Sequence, residues 1–220
     1  AWQVAAGLEH RLGRWTTTVG GFAKTMDGLI EYADGGAFFA SGERWDDAVV
    51  TASGTAYGLE VGAVLAGSRH ELRVGYGLTR SSRRSPDIDA GRTFPYRYDR
   101  THDLSALVTR HLSVRRRLTA QFVVATGAAL TVPVARYGAR GYVYGARNGA
   151  RLPPYHRVDV AYEVDYGQGR LALGLYNVYN RLNPYYVEFV RARGDAVARD
   201  RFRFVSLFPI LPSVSYRFAF

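Results

Sequence analysis

The sequence predicts an all-β chain that crosses a membrane as part of an antiparallel β-barrel. Three observations carry that reading: period-two alternation in segments of membrane-crossing length, connections that are short and long by turns, and an aromatic-rich composition without long apolar runs. The 220 residues include 16 Tyr, 11 Phe and 24 Gly against one Met and no Cys, a mix suited to strands and turns. No run approaches the roughly 18 apolar residues of a spanning helix, which leaves strands as the route through a bilayer. Without Cys there is no disulfide and no thiolate metal site. The opening AWQVAAGLEHRLGRW has no basic segment leading into an apolar run, so it does not read as a signal peptide.

Residues 2–11 and 15–25 are the first candidate strands, joined by the tight turn Arg11-Leu12-Gly13-Arg14. A long connection from about Met26 to Thr55 follows. Then Tyr57, Leu59, Val61, Ala63 and Leu65 alternate with Gly58, Glu60 and Gly62. The turn Ala66-Gly67-Ser68-Arg69 leads into Leu72, Val74, Tyr76 and Leu78, set against Glu71, Arg73, Gly75 and Gly77. A second long connection, about Ser81 to Thr101, precedes a candidate strand over 103–112 and the short turn Ser113 to Arg116. Leu118, Ala120, Phe122 and Val124 come next, opposite Thr119, Gln121 and Val123.

The third long connection, Gly127 to Tyr155, ends at the cleanest alternation: Val158, Val160, Tyr162, Val164 and Tyr166 against Asp159, Ala161, Glu163 and Asp165. Gly167-Gln168-Gly169 turns the chain into 170–179, and a fourth long connection spans Asn180 to Pro212. In the closing segment Val214, Tyr216, Phe218 and Phe220 oppose Ser213, Ser215, Arg217 and Ala219.

About nine strands result, with four short turns alternating with four long loops. Strict alternation sends every long loop to one end of the sheet and every turn to the other, the asymmetry of outer-membrane barrels. Trp2, Trp15, Tyr57, Tyr76, Tyr98, Tyr155, Tyr166, Tyr179 and Tyr216 stand near expected strand ends, where interfacial girdles would lie. An odd strand count leaves open edges in lipid, so the chain is expected to be incomplete at its front.

The formal net charge of +10 invites a nucleic-acid reading. Arg is scattered, however, with compact clusters only at Arg83-Arg84 and Arg115-Arg116-Arg117, and no nucleic-acid-binding motif accompanies them, so no nucleic-acid partner is expected. The five histidines, His10, His70, His102, His111 and His156, form no HxxxH or HExxH pattern. No nucleophile elbow or phosphate-binding loop appears, and Gly75-Tyr-Gly77 reads as sheet packing. Glu60, Glu71, Asp159, Glu163 and Asp165 fit a hydrated inner face that pairs them with Arg73 and Arg217. Asp46-Asp47 and Asp87-Ile-Asp89 are weighed as calcium ligands and read instead as solvated loop acids.

Neither an enzyme nor a cofactor is expected. Candidate ligand contacts fall in the long loops, on Trp45, Tyr96, Tyr137, Tyr142, Arg147, Tyr185 and Tyr186. Phe38, Phe39, Tyr144, Arg136, Arg140, Arg191 and Arg193 offer the same chemistry.

Four runs resemble a known family. Phe94-Pro-Tyr-Arg-Tyr-Asp-Arg-Thr-His-Asp-Leu104, Arg151-Leu-Pro-Pro-Tyr-His-Arg-Val-Asp159, Leu175-Tyr-Asn-Val-Tyr-Asn-Arg-Leu-Asn-Pro-Tyr-Tyr186 and Phe208-Pro-Ile-Leu-Pro-Ser-Val-Ser-Tyr-Arg-Phe-Ala-Phe220 are similar, in that order, to late barrel strands of TonB-dependent outer-membrane receptors of Bacteroidetes-like bacteria. Met26-Asp-Gly-Leu-Ile-Glu-Tyr32 and Ala56-Tyr-Gly-Leu-Glu60 match more loosely.

The resemblance implies that residues 1–220 supply the last nine or so strands of a 22-stranded barrel in the Gram-negative outer membrane, with the plug domain and earlier strands upstream. It implies import of a scarce small-molecule or oligomeric nutrient, such as a ferric chelate, glycan, peptide or cobalamin. The implied partners are outer-membrane lipid, the TonB-ExbB-ExbD system acting through the upstream part, the barrel-assembly machinery and a surface lipoprotein. Tyr216, Phe218 and Phe220 would form the assembly signal. The strands alone also fit a passive porin or adhesin-type barrel, and the alternation alone fits a soluble all-β binding protein.

Overall fold

The computed structural model describes residues 1–34, 46, 48–137, 141–191 and 200–218. Nine long strands form one antiparallel sheet: β1 (Trp2–Leu12), β2 (Trp15–Tyr32), β3 (Val49–Ala66), β4 (His70–Arg84), β5 (His102–Ser113), β6 (Arg116–Ala125), β7 (Tyr155–Tyr166), β8 (Gly169–Tyr176) and β9 (Leu211–Phe218). Each pairs with its neighbours in the chain, so the sheet is an unbroken meander whose outer strands, β1 and β9, have a partner on one side among the described residues. The turns between β1 and β2 and between β7 and β8 reverse the chain on Gly13 (φ 58°) and Gly167 (φ 60°), a backbone region open to glycine.

Directly opposed residues share a face, so the register decides whether the apolar sides of separate strands line up. They do. Leu8 faces Val19, Val19 faces Val61, Val61 faces Tyr76 and Tyr76 faces Leu104. A second row runs Leu72, Val108, Ala120, Val160 and Leu175. This continuous apolar face is left uncovered, with Leu8 82%, Tyr166 74% and Val214 72% exposed. Burial is confined to the loop end, where Ala48, Ala52, Ser85, Ile88, Phe94, Asp99, Ala125, Ala129 and Asn177 are enclosed. A soluble sheet of this size would cover one face with a second layer; here the surroundings must solvate it.

The alternation of turns and loops is as expected, but several strand ends differ. β2 runs on to Tyr32 and β3 begins at Val49, so much of the expected Met26–Thr55 loop is strand. The cause is a bulge between Met26 and Leu29, with Gly28 at φ 68°, which shifts the period-two pattern by one face. β8 stops at Tyr176 because Asn177 adopts φ 55°. The long loops hold short pairings of their own: Phe94–Pro95 on the end of β4, Ala129–Leu130 with Ala150–Arg151, Pro133–Tyr137 with Gly141–Tyr144, and Pro184–Arg191 with Asp200–Ser206.

Trp2, Trp15, Tyr57, Tyr76, Tyr166 and Tyr216 fall on the apolar face, as girdle positions require. Tyr155 does not: it lies on the polar face, where its hydroxyl accepts from Arg157 at 2.7 Å. Tyr98 stands in the second long loop, two-thirds exposed. Tyr179 lies just past β8 and shares a 2.8 Å hydrogen bond with His156 Nδ1. At the closing strand the Tyr216 and Phe218 rings stack 6.2 Å apart; Phe220 lies outside the described residues.

The polar face pairs its charges differently from the expectation. Glu163 stands opposite Arg117 and pairs with it, and Asp165 stands opposite Arg170 and accepts from it at 2.6 Å. Asp159 pairs with Arg157 at 2.9 Å and Glu71 with His111 at 3.4 Å. Arg73 and Arg217 are not the partners, for a reason the register supplies: Arg73 faces Val64 and Leu107, and Arg217 faces another guanidinium, Arg170.

Candidate functional site

The loop end is built on a few buried joints. In the second long loop Ser85 is buried and donates its hydroxyl to Thr51 O at 2.8 Å, and Phe94 is buried against the end of β4. That docking carries Tyr96 onto Arg83, whose guanidinium carbon sits 4.2 Å from the ring centroid and whose Nε is 3.5 Å from Glu31. A turn closed by Asp99 N–H on Tyr96 O, 2.8 Å, then buries Asp99.

The Asp99 carboxylate accepts from Ser81 N–H at 2.6 Å and pairs with Arg151 of the third long loop. Arg151 also donates to Asp99 O at 2.7 Å and Gly127 O at 3.2 Å. Two of the family-like runs therefore meet: Asp99 of one is clamped by Arg151 of the next. A third joint lies at the root of the fourth loop. The amide N–H of buried Asn177 donates to Asp159 Oδ1 at 2.8 Å, its side chain donates to Arg181 O at 2.9 Å and Phe208 O at 3.3 Å, and its Oδ1 accepts from Arg181 N–H at 3.0 Å.

These joints frame two neighbouring cavities of about 520 Å³ and 640 Å³ that share Arg97, Tyr98 and the Ala129–Thr131 segment. The first takes in Glu31, Tyr96, Arg147 and Asn148; the second takes in Arg100, Tyr176, Tyr185, Tyr186 and Phe208. The sequence-chosen residues are thus divided. Tyr96 and Arg147 line the first cavity and Tyr185 and Tyr186 the second, the latter two edge to face at 6.1 Å.

Arg147 is tied to the first loop, donating to Tyr32 O at 3.0 Å with Asp34 at 3.6 Å. Tyr142 sits in the outer hairpin opposite Arg136, 6.4 Å from the Tyr144 ring, and lines neither cavity. Tyr137 pairs with Gly141 through its backbone, while its side chain lies outside the described residues. Trp45, Phe38, Phe39, Arg140 and Arg193 also lie outside them, as do the side chains of Arg136 and Arg191. Sequence reasoning passed over Arg97 and Arg100 and read Tyr98 as a girdle residue, because only the closure of the second loop turns Arg97 and Tyr98 into the wall between two cavities and brings Arg100 to the second.

In the outer hairpin of the fourth loop Glu188 accepts from Arg203 Nε at 2.9 Å and from the Tyr186 hydroxyl at 3.1 Å. The Arg203 hydrogen bonds hold the Glu188 carboxyl below its ordinary range, and donation to Glu188 pushes the Tyr186 hydroxyl above its own. Among the described residues no three His, Cys, Asp or Glu side chains gather as a metal site. Asp89, one of the weighed acids, pairs with Arg92 at 2.5 Å, and Asp47 lies outside the described residues.

Comparison with solved structures gives two likenesses. The FrpB iron transporter from Neisseria meningitidis (F3-3 variant) superposes with TM-score 0.62 at 12% identity over 97% of this chain. The fold is that of an outer-membrane receptor barrel. The ferripyoverdine receptor of the outer membrane of Pseudomonas aeruginosa, bound to ferripyoverdine, superposes with TM-score 0.56 at 11% identity over 81%. The first neighbour is described as an iron transporter and the second as a receptor of the outer membrane. The chain spans 30% of the first and 23% of the second, so it corresponds to one wall of a receptor barrel. No protein-family profile and no curated protein sequence matches it. None of its described helices is long and apolar enough to cross a membrane, which is immaterial to a receptor barrel that crosses with strands.

Proposed function

We propose that the chain forms part of the barrel wall of a TonB-dependent receptor that imports a scarce nutrient across the outer membrane. One observation carries the reading: a nine-strand meander with an uninterrupted exposed apolar face, an ion-paired polar face and all long loops at one end, in the fold of two receptor barrels. The open edges of β1 and β9 are closed by further strands, since unpaired backbone is costly in lipid. The polar face looks inward onto a plug, through which the TonB-ExbB-ExbD system delivers energy.

The loop cavities receive the nutrient, with Tyr96, Arg147, Tyr185 and Tyr186 at the cavity walls and Tyr142 in the outer hairpin of the third loop. A ferric chelate is the favoured cargo, because the neighbours are an iron transporter and a receptor holding ferripyoverdine. Tyr216, Phe218 and Phe220 present the closing strand to the barrel-assembly machinery.

Uptake of radiolabelled ferric chelates by iron-starved cells tests this reading. Saturable uptake is expected that disappears on deletion of the protein and on collapse of the inner-membrane proton gradient. Uptake indifferent to the gradient would instead indicate a passive pore.

A further inference from the structure

Charge is sorted between the two faces of the sheet. Away from the bulge at Asp27, the register puts the acidic side chains of the nine strands on the polar face, Glu9, Glu71, Asp159, Glu163 and Asp165 among them. The apolar face carries no acid there, and its Arg and His lie at its two rims. At the rim beside the short turns, His70 stands opposite Arg110 on β5, and Arg116 stands opposite Val164 on β7. Neither Arg110 nor Arg116 has an acidic partner among the described residues. At the same height on the other face Glu71 pairs with His111 and Glu163 with Arg117.

The strip therefore combines free guanidinium groups with the edge of an apolar band. Leu72 and Val108 follow His70 and Arg110 by one step of the alternation, and exposed Trp15 and Tyr166 lie at the same end of the sheet. Guanidinium forks suit phosphate oxygens, and a rim at the end of the apolar band is where lipid phosphates lie. We propose that this strip, centred on Arg110 and Arg116, binds the phosphates of anionic phospholipids in the leaflet that meets the short turns. The proposal rests on the membrane reading of the fold and adds to it a preference among lipids.

The test uses the full-length protein reconstituted in vesicles of equal phosphatidylcholine and phosphatidylglycerol, with one or the other lipid brominated. Trp15 emission is isolated by difference against W15F. Brominated phosphatidylglycerol is expected to occupy the strip about five-fold in preference to phosphatidylcholine, from the roughly 1 kcal/mol that a basic side chain gains at an anionic surface. The preference should fall to near one in R110Q/R116Q and persist in R80Q, at the opposite rim. R110Q alone, expected to lose part of the preference, serves if the double variant fails to fold. Equal quenching by both lipids in the unsubstituted protein, or a preference unchanged by the substitutions, would overturn the proposal. No quenching by either lipid would overturn the membrane placement as well, so the two failures are told apart.

Discussion

Arg151 and Asp99 show what the family-like runs are for at the level of single side chains. Asp99 is 3% exposed, so removing Arg151 strands a buried carboxylate with one backbone N–H as its remaining donor. R151M is expected to cost about 3 kcal/mol, read as a lower unfolding midpoint together with earlier protease cleavage in the third loop. Asn177 is a second such point. It is fully buried, holds φ 55° and makes three hydrogen bonds through its side chain, so N177A should cost about 3 kcal/mol, while N177G, which tolerates the backbone angle, should cost less. Gly127 completes the set: a Cβ there would stand 1.8 Å from Leu152 O, a backbone atom, so G127A should loosen the base of the third loop by about 2 kcal/mol or more. Unlike Gly127, the residues Arg151, Asp99 and Asn177 were visible in the sequence within the resembling runs. Their pairing was not, because a single strand does not reveal its cross-strand register, and for the same reason Arg73 and Arg217 stood in for Arg117, Arg157 and Arg170.

Among elements, the strands were legible wherever one side chain in two is apolar, and they became illegible where that rhythm breaks. β7 and β9 needed only Val158 to Tyr166 and Val214 to Phe218. The far halves of β2 and β3 were hidden by the Met26–Leu29 bulge, which moves Leu29 and Glu31 onto the polar face. The sorting of faces makes a direct expectation: Val160, mid-strand on the apolar face, should tolerate Arg at a cost of about 2–4 kcal/mol, whereas A161R, one residue on and facing the polar side, should cost far less. The folded fraction after reconstitution, read by heat-modifiable migration, gives the comparison.

The hairpin of the fourth loop carries a pH dependence of known sign. The folded-state pKa of Glu188 lies below its unfolded value, so the stabilisation from Arg203 is present above the unfolded value and is lost as pH falls through the depressed one. Protease cleavage within residues 184–206 should therefore accelerate on acidification below the ordinary carboxylate range, and E188Q should be cleaved at the same fast rate throughout.

For the whole molecule, the account makes the sheet a two-sided wall with an inside and an outside end. Its loops, cavities and joints gather at one end, its tight turns and cationic strip at the other, and the apolar band lies between. This asymmetry was legible from connection lengths before any coordinate, whereas the cavities required three loops to converge on the ends of β2 and β3, and Tyr98 misled because an aromatic near a strand end looks like a girdle residue until the loop is closed.

The chain has no cysteine, which makes its sidedness directly measurable. Single cysteines placed as Y185C, in the fourth loop, and Q168C, in the turn between β7 and β8, would be treated in intact cells with a membrane-impermeant maleimide. Labelling of Y185C in intact cells, with Q168C labelled only after the outer membrane is permeabilised, is the expected result. Equal labelling of both positions in intact cells, or labelling of Q168C alone, would contradict the account.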